Sequence, residues 1–233
     1  MEIGISLAGS PWRSLQIPLA LHYLQTICQS SNYQCRLIFL RGDAVFIGLS
    51  SFAAEFKTLI EDYNIKVYLC STAVETRQQF CKNLTLLPWM AVAGLGTWVA
   101  FDLAEDTLGL DFGTQVIKSG SYRQVLCHKH PLNQAFEEDL DLALAYATFD
   151  TPVDLELIGL ASLIKQDQYI ATDRAKKLAS AGLYGVESIT YKSERNWCNS
   201  PTKVITHDSL MSLNCDLLDS LSKDTQLEWL LKP

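Results

Sequence analysis

The sequence predicts an α/β fold built as two tandem domains, each a mostly parallel five-stranded sheet flanked by helices. Three observations carry that prediction. Short β-branched runs such as Ile65-Lys66-Val67-Tyr68-Leu69 alternate with longer stretches whose apolar residues recur at helical spacing. Glycine, serine and proline clusters punctuate the boundaries. Strand starts then repeat near 2 and 122, 34 and 153, and 65 and 186, an offset of about 120 residues.

Residues 2–8 alternate Ile3, Ile5 and Leu7, the mark of a first strand. Gly9-Ser10-Pro11 is a turn, and a helix to about residue 30 places Ile17, Leu21, Leu24 and Cys28 on one face. Residues 34–40 form the second strand and run into Arg41-Gly42-Asp43. A helix over 52–63 turns Phe56, Leu59 and Ile60 inward. Residues 65–70 and 89–93 are the third and fourth strands. The turn Gly94-Leu95-Gly96, a helix over 97–104 and a strand at 106–112 complete the first domain, 1–113. Residues 113–121 read as a linker ending in Ser119-Gly120-Ser121. The pattern then restarts over 122–233. Strands are expected at 122–127, 153–160, 186–191, 203–206 and near 216–218, with helices at 134–148, 169–181 (closed by Gly182) and 207–214.

Cys70 stands out by position. It ends the third strand, and Ser71 or Thr72 can cap the helix after it, with Glu75 in its first turn. The carboxyl end of a strand facing a helix amino end is where reactive groups gather in open α/β sheets. Unpaired N–H groups and the helix dipole there favour the thiolate, the nucleophilic form of cysteine. A small buried apolar filler is the other reading, since thiols are among the most buried side chains.

Composition narrows the function classes. A net charge of −7 disfavours a general nucleic-acid or anionic-membrane binder. The seven cysteines lack metal-type pairing, and no charged segment with an apolar core opens the chain. Reduced thiols in a cytoplasmic protein are the simplest account. Residues 83–101 carry no charge, which raises a transmembrane question. Pro88, Gly94 and Gly96 and the strand-like 89–93 answer it as strand, turn and helix.

Several of these features together resemble the DsrE/DsrF-like sulfur-relay family, as a fusion of a TusD (DsrE)-like half to a TusC (DsrF)-like half. In the first half they are Gly9, the run Phe39-Leu40-Arg41-Gly42-Asp43-Ala44-Val45, the strand-borne Cys70, and Ala93-Gly94-Leu95-Gly96 with Trp98 beyond. In the second half they are His130-Pro131, Ile170-Ala171-Thr172 and Gly182-Leu183-Tyr184. The resemblance implies two flavodoxin-like DsrE domains and a sulfurtransferase-type persulfide relay with Cys70 as the relay cysteine. It implies no metal or organic cofactor. The implied partners are an upstream persulfide donor, a downstream acceptor and a TusB/DsrH-like subunit, in a homo- or hetero-oligomer without direct nucleic-acid or membrane contact. The sulfur of such relays ends in tRNA 2-thiouridine or belongs to Dsr-type sulfur oxidation. Gly9, Arg41, Gly94 and Gly96 would support the site, Arg41 as a loop cation and the glycines by positive φ and close backbone approach.

The second half departs from this pattern. The offset sets Tyr191, with Lys192 next, where the first half has Cys70, so that copy is expected to serve as a structural partner packed against the first. Cys81 reads as a bystander or a resolving thiol, Cys198 follows in the loop-like stretch Asn196-Trp197-Cys198-Asn199, and His128 with His130 offers at most two metal ligands. Two other classes stay open: an assembly subunit whose Cys70 is structural, and a small-ligand binder of flavodoxin-like architecture, disfavoured because no G-x-G-x-x-G or Walker lysine follows a strand.

Overall fold

The computed structural model describes residues 1–78, 87–128, 134–159 and 173–192. The chain divides into two compact units, residues 1–113 and 114–232. The first is an α/β layer: β1 (Glu2–Leu7), α1 (Gln16–Gln29), β2 (Gln34–Leu40), a 3-10 helix (Gly42–Leu49), α2 (Ala53–Tyr63), β3 (Lys66–Cys70), α3 (Ser71–Gln78), β4 (Met90–Ala93), α4 (Leu95–Leu103) and β5 (Thr107–Asp111). Its five strands are all parallel, in the order β4-β3-β2-β1-β5. Three steps run outward from β1 to β4, and the return to β5 goes the other way. Right-handed crossovers therefore put α1, α2 and α3 on one face and α4 on the other.

Side-chain alternation matches those two covers. Ile3, Ile5 and Leu7 are buried on the α1 side together with Ile38 and Leu40 of β2. The opposite face holds Gly4 and Ser6 of β1, Phe39 of β2 and Gly109 of β5. Trp98 of α4, fully buried, packs there, its ring 6.4 Å from that of Phe39. A Cβ at Gly4 would stand 2.5 Å from Phe101, and one at Gly109 would strike the Asp102 carboxylate and stand 3.1 Å from Trp98, so bare strands make room for the side chains of α4. The uncharged stretch of the sequence thus resolves, within the described residues 87–101, into the strand β4 and the start of α4. No helix among the described residues is long and apolar enough to cross a membrane.

The second unit holds a mixed sheet. Among the described residues its elements are β6 (Gln115–Ser119), β7 (Tyr122–Cys127), α5 (Gln134–Ala147), β8 (Val153–Ile158), α6 (Asp173–Ser180), a 3-10 turn (Ala181–Tyr184) and β9 (Val186–Lys192). The described strand order is β6-β7-β8-β9. β7, β8 and β9 are parallel, whereas β6 pairs antiparallel with β7. Residues 115–119 are therefore not linker but an edge strand, turned back through Gly120 at φ 57°. The Ser-Gly-Ser cue marks a hairpin turn instead of a flexible joint. The helix end shifts as well: the chain continues past Gly182 as a 3-10 turn, and Gly185, at φ 96°, adopts the left-handed conformation. The expected elements at 203–206, 207–214 and 216–218 lie outside the described residues.

Helix α5 buries Phe136, Leu140, Ala143 and Tyr146, and it packs on β7 and β8. The other face of this sheet is polar where the first unit is apolar. Gln124 donates to Glu156 at 2.6 Å, and Tyr122 and Ser188 both donate to Asp154, at 2.6 and 2.5 Å. The ladders also correct the alignment of the halves. In the first unit Leu7, Leu40 and Leu69 form one row; in the second Cys127, Leu157 and Tyr191 do. The residue after each row is Cys70 in β3 and Lys192 in β9. Lys192, not Tyr191, occupies the register position of Cys70, because an offset counted along the chain ignores the register shift beside Val153.

One contact spans the carboxyl ends of three strands in the first unit. The Arg41 guanidinium, just past β2, donates from Nε to Ser6 Oγ at 3.1 Å and from Nη2 to Asp111 Oδ1 at 2.6 Å. Both side chains of the ion pair are almost fully buried, at 3% and 6% exposure. Breaking one side of such a pair leaves a buried charge and costs about 3–5 kcal/mol. Arg41→Met should lower unfolding stability by that amount in urea titrations. Arg36→Met, which removes an exposed pair with Glu2, should cost under about 1 kcal/mol.

Candidate functional site

The site is built where β3 ends. Cys70 closes the strand opposite Ala93 of β4, and α3 begins at the next residue, Ser71. The backbone therefore passes from strand to helix without an intervening loop, and the thiol sits at the amino end of α3. Gly94, which follows Ala93, is the N-cap of α4. The amino ends of two helices thus lie beside the end of β3. Cys70 itself is buried, 6% exposed.

The 41–43 segment frames the site from the β2 side. Arg41 N–H donates to Leu7 O at 2.8 Å, Gly42 turns at φ 53°, and Asp43 N–H donates to Ala8 O at 3.1 Å. Arg41 then points its guanidinium across β1 to β5, away from β3, so it is an internal ion-pair partner and not a loop cation over Cys70. The cation on the helix next to Cys70 is Arg77, in the last turn of α3. Its Nε donates to Asp43 Oδ1 at 2.9 Å, and its side chain is 8% exposed. Sequence patterning does not single out Arg77. Its only signal is the spacing of Ala73, Val74 and Arg77, which places an arginine on the buried face of a short helix.

The three glycines divide. Gly9 lies in the β1–α1 loop, where a Cβ would strike Ser14 and Gln16 side chains, so close approach is real there. Gly94 has an ordinary φ of −70°, and a Cβ on it would meet nothing within 4 Å. Gly96 is inside α4, which starts at Leu95, so Gly94-Leu95-Gly96 is the start of a helix and not a separate turn. Positive φ is therefore not what these two glycines provide. The close approach belongs instead to Gly113, whose Cβ would meet Ala8 and stand 2.9 Å from Arg41 Nη2.

Two other described thiols, Cys28 and Cys35, are shifted away from reactivity. Burial pushes Cys28 up to about 11. Cys35 is pushed up to about 12, chiefly by burial and then by the nearby Cys28. Both stay protonated at neutral pH, and the protonated thiol is not a nucleophile. His128 contacts Gln115 at 3.1 Å through its ring nitrogen, and His130, Cys81 and Cys198 lie outside the described residues.

Against known proteins, residues 13–108 match the model of the DsrE/DsrF-like family. The crystal structure of the ychN protein from E. coli aligns at 24% identity over 48% of this chain and 99% of its own, with a TM-score of 0.41. No curated protein matches the chain. The glycine geometry makes a direct prediction. Gly94→Ser should leave the urea midpoint unchanged or slightly raised, since serine caps helices well and finds open space. Gly113→Ala should cost more than about 1 kcal/mol by crowding the Arg41 contact.

Proposed function

We propose, taking residues 13–108 as a DsrE/DsrF-like domain, that the protein is a sulfur carrier that passes persulfide sulfur through Cys70. The observation that carries this reading is the placement of that thiol directly at the amino end of α3 within the matched segment. In the proposed step the Cys70 thiolate attacks the outer sulfur of a donor persulfide, R–S–SH. A new S–S bond forms on Cys70, the donor S–S bond breaks, and its electron pair leaves on R–S⁻, so no oxidant or reductant is consumed. The reverse chemistry hands the sulfur to an acceptor thiol. The helix amino end favours the anionic sulfur before and after transfer.

The second unit carries Lys192 at the matching register position and, in this reading, supports the first unit without relaying sulfur. The donor and acceptor proteins, a TusB/DsrH-like subunit, assembly into an oligomer in the cytoplasm, and a destination in tRNA thiolation or sulfur oxidation extend the same proposal. The 6% exposure of Cys70 favours one rival, an assembly subunit in which that thiol is a packing residue.

A transfer assay separates the two. The purified chain is incubated with a small persulfide donor, desalted, and offered a low-molecular-weight acceptor thiol. Sulfur delivery should be lost in Cys70→Ser and kept in Cys28→Ser and Cys35→Ser. Equal delivery by Cys70→Ser would leave the assembly reading standing.

A further inference from the structure

Arg77 is a buried cation on the helix that starts at the proposed nucleophile. The buried face of α3 is Ala73, Val74 and Arg77, and the same spacing runs back to Cys70, seven residues before Arg77. At 1.5 Å per residue that is about 10 Å along the helix axis. Helical side chains lean toward the amino end, which is the Cys70 end of α3. Asp43 then fixes it. The Nε–Oδ1 bond of 2.9 Å ties α3 to the first turn of the 3-10 helix, which is itself held by the Asp43 N–H to Ala8 O. Arginine at 6% exposure costs desolvation, which the ion pair with Asp43 helps to offset.

We propose that Arg77, clamped by Asp43, is a positioning residue for Cys70: the pair seats the amino end of α3 against the thiol and keeps positive charge on its side. The inference rests on the relay reading for its purpose, though not for its test. Among the described residues, the charged and titratable groups on the elements around Cys70 include Asp102 on α4 and Arg36 on β2. Arg77 and the exposed Glu75 are on α3, and Asp43 is on the 3-10 helix. Tyr68 and Lys66 are on β3, Arg41 is turned away to Asp111, and β4 contributes none.

The test is the pH dependence of Cys70 alkylation by iodoacetamide in the full chain, read by peptide mass spectrometry, with folding followed by thermal melts. Arg77→Met should move the alkylation midpoint up by about one pH unit. Arg77→Lys should recover part of that shift. Asp43→Asn, a change at a half-exposed side chain that leaves the core intact, should move the midpoint in the same direction, and the double variant should be no worse than Arg77→Met. An unmoved midpoint in Arg77→Met, or a lowered one in Asp43→Asn, would overturn the proposal. If Arg77→Met fails to fold, Asp43→Asn alone decides. Because alkylation needs no sulfur donor, a wild-type chain that carries no sulfur would sink the relay reading while these midpoints still judge the pair.

Discussion

The carboxyl edge of the first unit depends on the buried ion pair between Arg41 and Asp111. A charge held at 3% exposure cannot be left half-paired without a penalty comparable to a large share of a domain's stability. The pair, with Ser6, locks the end of β2 to β1 and β5. The next three residues and the helix beyond them are constrained in turn. Gly42 takes a left-handed φ, Asp43 reaches Ala8 by its backbone and Arg77 by its side chain, and α3 is held where it leaves Cys70. The chemistry proposed for Cys70 therefore rests on a structural arginine that closes the neighbouring strand. Arg41 and Asp43, adjacent but for one glycine, face opposite ways and do different work.

Much of the first unit is legible in the sequence because its signals are redundant. Alternation in residues 2–8, helical spacing from Ile17 to Cys28 and the β-branched run at 65–70 each point to one element, and each element forms. The 3-10 helix at Gly42–Leu49 is not legible, since its apolar residues run continuously from Ala44 to Ile47 instead of recurring at helical spacing. The role of Arg41 is hidden for a related reason. Sequence places a side chain at a strand end but does not say which neighbouring strand it crosses, and Asp111 lies seventy residues away. Gly94 and Gly96 mislead because glycine beside a strand end suggests positive φ, whereas here they open a helix.

The second unit shows how a repeated pattern can keep its order and change its chemistry. Its strands β7, β8 and β9 repeat the β1-β2-β3 ladder, yet the face that packs Phe39 against Trp98 in the first unit carries Gln124, Asp154 and Glu156 in the second. The hairpin strand β6 is hidden because Gln115-Val116-Ile117-Lys118-Ser119 places its two apolar residues side by side rather than in alternation. Counting from strand starts then misplaces the Cys70 counterpart by one residue, the smallest slip that moves a side chain to the opposite face of a sheet.

The central claim is that sulfane sulfur resides on Cys70 and on no other thiol of the chain. The direct measurement is peptide mapping of all seven cysteines by mass spectrometry after loading the unmodified chain from a persulfide donor and trapping the product by alkylation. The account predicts one added sulfur, on the peptide containing Cys70. Its appearance on Cys81 or Cys198 with Cys70 unloaded would contradict it.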